Sequence, residues 1–348
     1  MPSNIFVTIV ILNVLAAALV EAELLTMGAM AGIAAVASYY GYDRYLQCQF
    51  LECCTDQYVR PRIDTLEELL YKSLYGQEIV HQTVVRALQG HIALSNPPKA
   101  LSMSFHGPPG TGKTFVTRLI AKALFKKGAE SQYYHFFNGR NNFPLQRMVE
   151  EYKVSLHNTI IESLQKCEKS IFVFDEVDKM PEHLLDVLVP FLDYTPSYKL
   201  QSNWRTTHIN KTKAIYIFLS NTGSSQIVRT MISFWKQGRR REDLRLDDFE
   251  NIISVGAFNE QGGFHYSDTI QASLIDHYVP FLPLEETHVR KCLRRAFKDL
   301  SVNPTESMME EGMNYVVFGP EPYKLYSTSG CKRLEPKARI IAMSHTKI

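Results

Sequence analysis

Residues 106–114 read His-Gly-Pro-Pro-Gly-Thr-Gly-Lys-Thr, and Gly107 to Thr114 match G-x-x-x-x-G-K-[ST] in full. The pattern has a physical basis. Glycines let the backbone wrap a phosphate, successive amides point inward, and the following helix adds a positive N-terminal end. In this reading Gly107, Pro108, Pro109, Gly110, Thr111 and Gly112 form the cradle. Lys113 reaches the β- and γ-phosphates, and Thr114 offers a hydroxyl to Mg²⁺. The context fits, because Leu101 to His106 reads as a short apolar strand and Lys113 to Lys126 as a helix.

Downstream, Ser170-Ile-Phe-Val-Phe-Asp-Glu-Val-Asp178 is a buried strand ending in carboxylates. Asp175 would hold the Mg²⁺ shell, and Glu176 would orient and deprotonate an attacking water. Asp178 and Lys179 read as structural. Ile217-Phe-Leu-Ser-Asn221 is a further strand ending in a polar amide, suited to positioning water and γ-phosphate. The nearest approach to N-K-x-D is Asn210-Lys-Thr-Lys213, which lacks the Asp that would read guanine. Asn210 also heads the chain's single N-x-[ST] sequon, a candidate glycosylation site.

Between these motifs strand-like and helix-like stretches alternate. Strands are expected at Tyr133 to Phe137, Ala214 to Ser220 and Tyr278 to Leu282. Helices are expected at Leu66 to Leu94 (broken at Tyr75-Gly76-Gln77), Pro144 to Cys167, Pro181 to Leu192, Ser225 to Trp235 and Glu242 to Ile253. Such alternation implies an α/β fold with a central parallel sheet flanked by helices, over residues 48–284. From Glu285 onward the pattern turns helical, with His288 to Leu300 amphipathic, so 285–348 reads as a small, mostly helical lid domain and tail. Cys48 to Pro61 reads as a linker.

The N-terminus points to a compartment. Residues 1–22 hold an apolar run from Ile5 to Val20, closed by Val20-Glu21-Ala22, which suits signal-peptide cleavage after Ala22. The run has no preceding Lys or Arg, and an uncleaved anchor is the alternative. Within residues 23–47, the charge-free Leu24 to Tyr42 is interrupted by Gly28, Gly32 and Gly41 and ends in a tyrosine cluster. It reads as lying on or dipping into a membrane surface, with a span as the alternative. Export implies an oxidising compartment for the six cysteines, so disulfides are expected. A net charge of +2 excludes nucleic-acid binding through bulk charge. The run Arg239-Arg240-Arg241, followed by Glu242-Asp243, reads as a solvated, locally paired helix start, with a basic recognition patch as the alternative.

Together these residues resemble the AAA+ ATPases, and among them the torsins. The likeness runs from about Cys48 to Lys332. It includes the Cys-x₄-Cys-Cys run, Leu74-Tyr-Gly-Gln77, Phe174-Asp-Glu-Val-Asp-Lys-Met180, Phe218-Leu-Ser-Asn221, Phe234-Trp235 with Arg241-Glu-Asp243, Val279-Pro-Phe-Leu-Pro-Leu284 and Gly330-Cys-Lys332. The resemblance implies an ATPase of the endoplasmic reticulum lumen and the contiguous nuclear envelope, using ATP and Mg²⁺ to remodel proteins or membrane-protein complexes. It implies that Asn221 is sensor 1, that Lys332 is sensor 2, and that Tyr75, Gly76 and Gln77 pack the adenine. It also pairs Cys292 with Cys331; a bridge beside Lys332 would let the lid sense redox state, with a purely structural bridge as the alternative. Torsins usually have Asn where this chain has Thr114, and a Trp-Thr-like pair where it has Pro108-Pro109, so the phosphate loop here is of the ordinary AAA+ kind.

The family also implies a partner: the lumenal domain of a lamina-associated or related membrane-protein activator. Related Clp-type machines end the core with L-N-R-I-D, whose Arg serves a neighbouring subunit. Here the matching stretch is Ala272-Ser-Leu-Ile-Asp276, with Leu274 in place of the Arg. An activator supplying that arginine finger, and an oligomer of the chain with itself or with the activator, are therefore expected. Asn138 to Pro144 holds no aromatic-apolar-Gly threading loop, with Phe143 as a weak substitute. A P-loop kinase and a nucleotide-gated adaptor without turnover are the alternatives. The adjacent carboxylates Asp175-Glu176 speak against both.

Overall fold

The computed structural model describes residues 48, 51–202, 205–259, 262–265, 267 and 273–345. The expected signal peptide and membrane-associating segment lie outside the described residues. Among the described residues, no helix is long and apolar enough to cross a membrane.

Five strands form one parallel sheet: β1 (Leu101–His106), β2 (Tyr134–Asn138), β3 (Ile171–Asp175), β6 (Ile215–Ser220) and β7 (His277–Pro280). Their spatial order is β2-β3-β6-β1-β7. β1 and β6 are buried along their whole length; β6 accordingly reads as a continuous apolar run, whereas β1 alternates and buries Ser102, Ser104 and His106 on one of its faces. One face of the sheet packs Met103, Phe105, Val173, Ile217 and Leu219 against α1 (Ile63–Ser73), α2 (Glu78–Ala93) and α3 (Lys113–Leu124). The other face carries Phe172, Phe174, Tyr216 and Phe218. There, rings stack in pairs across neighbouring strands, Phe172 on Tyr216 and Phe174 on Phe218, with centroids 5.0 and 5.2 Å apart.

Register fixes where the chemistry falls. His106 pairs with Ser220, Phe174 with Phe218, and Asn138 with Asp175. The residues following β1, β3 and β6 therefore emerge side by side at the carboxyl edge of the sheet, where parallel sheets place ligands.

Several expectations need correction. Pro181 to Leu192 is not one helix. It forms a 3₁₀ turn at Leu184–Leu188 and a short helix at Val189–Leu192, with Pro190 at the second helical position. A continuous helix would set the Pro190 ring against the carbonyl four residues back and lose a hydrogen bond. The helix expected from Pro144 begins at Val149, after a 3₁₀ turn at Gln146–Met148. Glu242 to Ile253 likewise splits into two 3₁₀ turns before the helix Glu250–Asn259. A hairpin absent from the sequence reading, β4 (Ser197–Ser202) with β5 (Arg205–Asn210), sits between β3 and β6 in the chain. Phe143 is buried against Phe137 and Tyr152, so it cannot serve as an exposed threading residue.

Cys54 to Pro61 is no linker. Cys54 is bonded to Cys167, Tyr58 and Val59 are buried, and Val59 bridges to Phe125. The remaining pairs are Cys48–Cys53 and Cys292–Cys331.

The C-terminal segment builds a separate small core. Leu293 and Phe297 from the helix Glu286–Asp299, Met308 and Met309 from Glu306–Met313, and Ala338 and Ile341 from Leu334–His345 bury one another. This lid returns to the phosphate loop at a glycine-to-glycine contact. A Cβ on Gly110 would run into the Ser329 carbonyl, and one on Gly330 into the carbonyl of Gly110. Both residues also have positive φ, so any side chain there is strained twice over.

Candidate active site

The phosphate loop, the acidic strand end, the polar strand end and the lid enclose a cavity of about 550 Å³. Its lining includes Lys113, Thr114, Asp175, Glu176, Asn221 and Lys332, so the predicted chemistry converges on one space.

Lys113 Nζ donates to the main-chain oxygens of Gly107 (2.6 Å) and Pro108 (3.0 Å) and to Asn221 Oδ1 (3.0 Å). These acceptors are neutral, so none supplies a formal counter-charge. Burial pushes the Lys113 pKa down to about 8. Asp175 and Asp178 oppose the shift, and the nearby Lys332 charge adds to it. A buried ammonium held by neutral acceptors suits an incoming polyanion.

Thr114 Oγ1 donates to Asp175 Oδ2 at 3.2 Å. The pair presents hard oxygen donors next to the lysine, the set a Mg²⁺ ion prefers. Burial raises the Asp175 pKa, against the Glu176 N–H and the Thr114 hydroxyl, which stabilise the anion. Glu176 follows in a left-handed backbone conformation, φ 54°. Its Oε2 lies 3.0 Å from Arg140 Nε.

Of the expected adenine-packing residues, Tyr75 lines the cavity. Gly76 sits against the His288 ring from the lid. Gln77 is fully buried and acts as a clamp: its Nε2 donates to the oxygens of Leu282 (2.9 Å) and Thr111 (3.3 Å), and its Oε1 accepts from Leu282 N–H (2.8 Å). Cys292 and Cys331 both line the cavity, and Cys331 N–H donates to the Gly110 carbonyl at 3.0 Å. Asn210 lies away from this site, at the end of the hairpin. Its Nδ2 donates to Glu168 Oε2 at 2.6 Å.

The sequence reading missed two arginines. Arg140 gives no local signal before Glu176 is seen beside it. Arg241 lies in a stretch that carries part of the family likeness, but no role follows from it, and its run reads as a solvated, locally paired helix start. Arg239 and Arg240 do pair locally, with Asp248 and Asp243. Arg241 instead turns inward, 7% exposed, binding the carbonyls of Gly76 and Pro283 and the carboxylate of Glu285. It thereby ties the segment before α2 to the lid connection.

The sheet order, the strand-end chemistry and the lid together define a P-loop protein of the AAA+ class. Solved structures of similar fold include the yeast (S. cerevisiae) Hsp104–ADP complex, TM-score 0.55 at 18% identity, and closed-state Hsp104 with ATPγS and FITC-casein, TM-score 0.54 at 17%. Each match covers 81% of this chain and 46% of the Hsp104 chain, so this protein spans about half of that length. The family pattern described as Torsin matches residues 48–174. A Torsin-like protein of Drosophila melanogaster is 40% identical over 341 residues, 97% of either chain. One of Caenorhabditis elegans is 38% identical over 305 residues, covering 86% of this chain and 83% of the relative. The chain belongs to the torsin family.

Proposed function

We propose that this protein binds ATP with Mg²⁺ and hydrolyses it, and that it does so in the lumen of the endoplasmic reticulum and nuclear envelope to remodel proteins or membrane-protein complexes. The observation that carries the nucleotide chemistry is the double contact of adjacent residues. Lys113 meets Asn221 at 3.0 Å while Thr114 meets Asp175 at 3.2 Å, joining three strand ends in one cavity. The export-type N-terminus and three disulfides support the lumenal reading.

Bound Mg²⁺ would neutralise phosphate charge, with Thr114 and Asp175 as its holders. Lys113 exchanges its neutral acceptors for phosphate oxygens. Asn221, freed from Lys113, orients the attacking water and the γ-phosphate. Glu176 takes the water's proton once its carboxylate leaves Arg140. Lys332 and Cys331 bring the lid against the phosphate loop.

Charge developing on the transferred phosphoryl group calls for one more cation beyond those lining the cavity, and the three arginines of the 239–241 run are engaged elsewhere. Arg239, Arg240 and Arg241 are all paired within the chain. Leu274 is buried, and its carbonyl accepts from Lys99 (2.7 Å) and Ser102 (2.6 Å). An arginine from a membrane-protein activator therefore completes the site. Such a residue is worth about 10³ to 10⁵ in rate, ~4–7 kcal/mol, in other phosphoryl transfers. ATP turnover by the purified protein across a range of its own concentrations tests this. Slow turnover that does not rise with concentration is expected. Brisk, concentration-dependent hydrolysis without a second protein would place the finger in this chain.

A further inference from the structure

Between the phosphate-loop strand and Asn221 runs a buried chain of polar groups whose direction can be worked out atom by atom. His106, the last residue of β1, is fully buried. Its Nδ1 lies 3.2 Å from the Thr222 carbonyl oxygen and 3.1 Å from Thr222 Oγ1, and its Nε2 lies 2.7 Å from Ser104 Oγ. A carbonyl can only accept, so the proton sits on Nδ1 and Nε2 accepts from the Ser104 hydroxyl. Burial pushes the His106 pKa down to about 4, so the ring stays neutral.

Thr222 Oγ1, accepting from His106, turns its own proton to Ser220 Oγ at 3.0 Å. Ser220 Oγ also accepts from Thr222 N–H at 3.1 Å, and it donates to Asp178 Oδ1 at 3.4 Å. The same oxygen accepts from Asn221 N–H at 3.1 Å. Each link donates in one direction, from Ser104 to a carboxylate. Burial would raise the Asp178 pKa, but the Asn221 N–H and Lys179 outweigh it and hold the group ionised as the terminal acceptor.

Asn221 is thus bracketed. Ser220 and Thr222 are tied on either side, its own amide is tied to Asp178, and its carboxamide is left to face Lys113. We infer that His106 is a positioning residue for hydrolysis: its Nδ1–H fixes Thr222, and through it the aim of the Asn221 carboxamide. This rests on the reading of Asn221 as the group that orients water and γ-phosphate. The chain would matter for rate more than for affinity, because Lys113 and the loop amides hold the nucleotide without it.

The test compares two amides of different reach in the full-length protein. The Asn amide nitrogen falls near the place of Nδ1, and the Gln amide nitrogen near that of Nε2. Single-turnover hydrolysis of trace [γ-³²P]ATP by excess protein is measured beside titration with mant-ATP. His106→Asn should keep the parent rate. His106→Gln and Ser220→Ala should be slower by at least about fivefold, with mant-ATP affinity within about twofold of the parent. Equal rates for His106→Asn and His106→Gln would overturn the inference, as would rate and affinity falling together. If His106→Gln does not fold by thermal melt, Ser220→Ala decides, and a parent-like rate there sinks the proposal. A parent that binds mant-ATP without hydrolysing it removes the hydrolytic reading and this inference with it. A hydrolysing parent matched by His106→Gln removes the inference alone.

Discussion

Arg140 Nε sits 3.0 Å from Glu176 Oε2, so the carboxylate assigned to water activation is engaged by a cation before any water reaches it. Arg140 projects from the short helix Gly139–Asn142 at the end of β2, and is 62% exposed. An exposed pair of this kind is worth at most about 1 kcal/mol, roughly fivefold in a rate. Arg140→Ala should therefore raise basal ATP turnover by about two- to fivefold, leaving nucleotide affinity unchanged. The same gain should appear in the parent protein on raising salt, since screening weakens the pair. Turnover that stays level or falls in the variant would show that Arg140 supports Glu176 rather than occupying it.

Lys113 makes nucleotide affinity depend on pH. Without ligand its pKa is about 8, and phosphate charge must raise it in the complex. The complex then holds the proton more tightly than the free protein. Affinity is flat below pH 8, where both forms are protonated, and falls as pH rises through the free-state value. From pH 7 to pH 9 the mant-ATP dissociation constant should rise about tenfold, with proton uptake on binding at pH 8.5. A constant affinity across that range would mean that Lys113 keeps an ordinary pKa.

Much of this arrangement is legible in the sequence because it depends on local rules. The phosphate loop, the acidic strand and the polar strand each carry their own pattern, and parallel β-α alternation brings their ends together. What escapes reading is either weakly patterned or long-range. Ser197–Ser202 and Arg205–Asn210 are mostly polar, so the hairpin offers little apolar alternation to detect. Arg241 looks like its two neighbours in sequence, and only the fold turns it toward Gly76 and Glu285. Pro190 did carry a signal, a proline inside an apparent helix, and the structure breaks the helix there. The Cys54–Cys167 bond spans 113 residues, beyond any spacing rule. Cys292–Cys331 is the pair the family resemblance implied, and it is present.

That lid disulfide should be felt by the nucleotide. Both sulfurs line the cavity, Cys331 N–H binds Gly110, and Lys332 is the next residue. Reduction would leave Lys332 on a segment no longer tied to the helix Glu286–Asp299. Nucleotide affinity should then change between oxidised and reduced protein by about two- to tenfold, the scale of one weakened charged contact. Cys292→Ser should match the reduced value in either condition. Identical affinities in all three samples would leave the bridge a purely structural role.

The central claim is that Lys113, Thr114, Asp175 and Asn221 bind and orient MgATP while Glu176 activates the water. Single-turnover [γ-³²P]ATP hydrolysis by parent and Glu176→Gln, with mant-ATP affinity measured on the same samples, tests it most directly. The account predicts affinity within about twofold and a rate lower by at least about 10² in the variant, since a positioned base contributes on that scale. Hydrolysis by Glu176→Gln at the parent rate would contradict it.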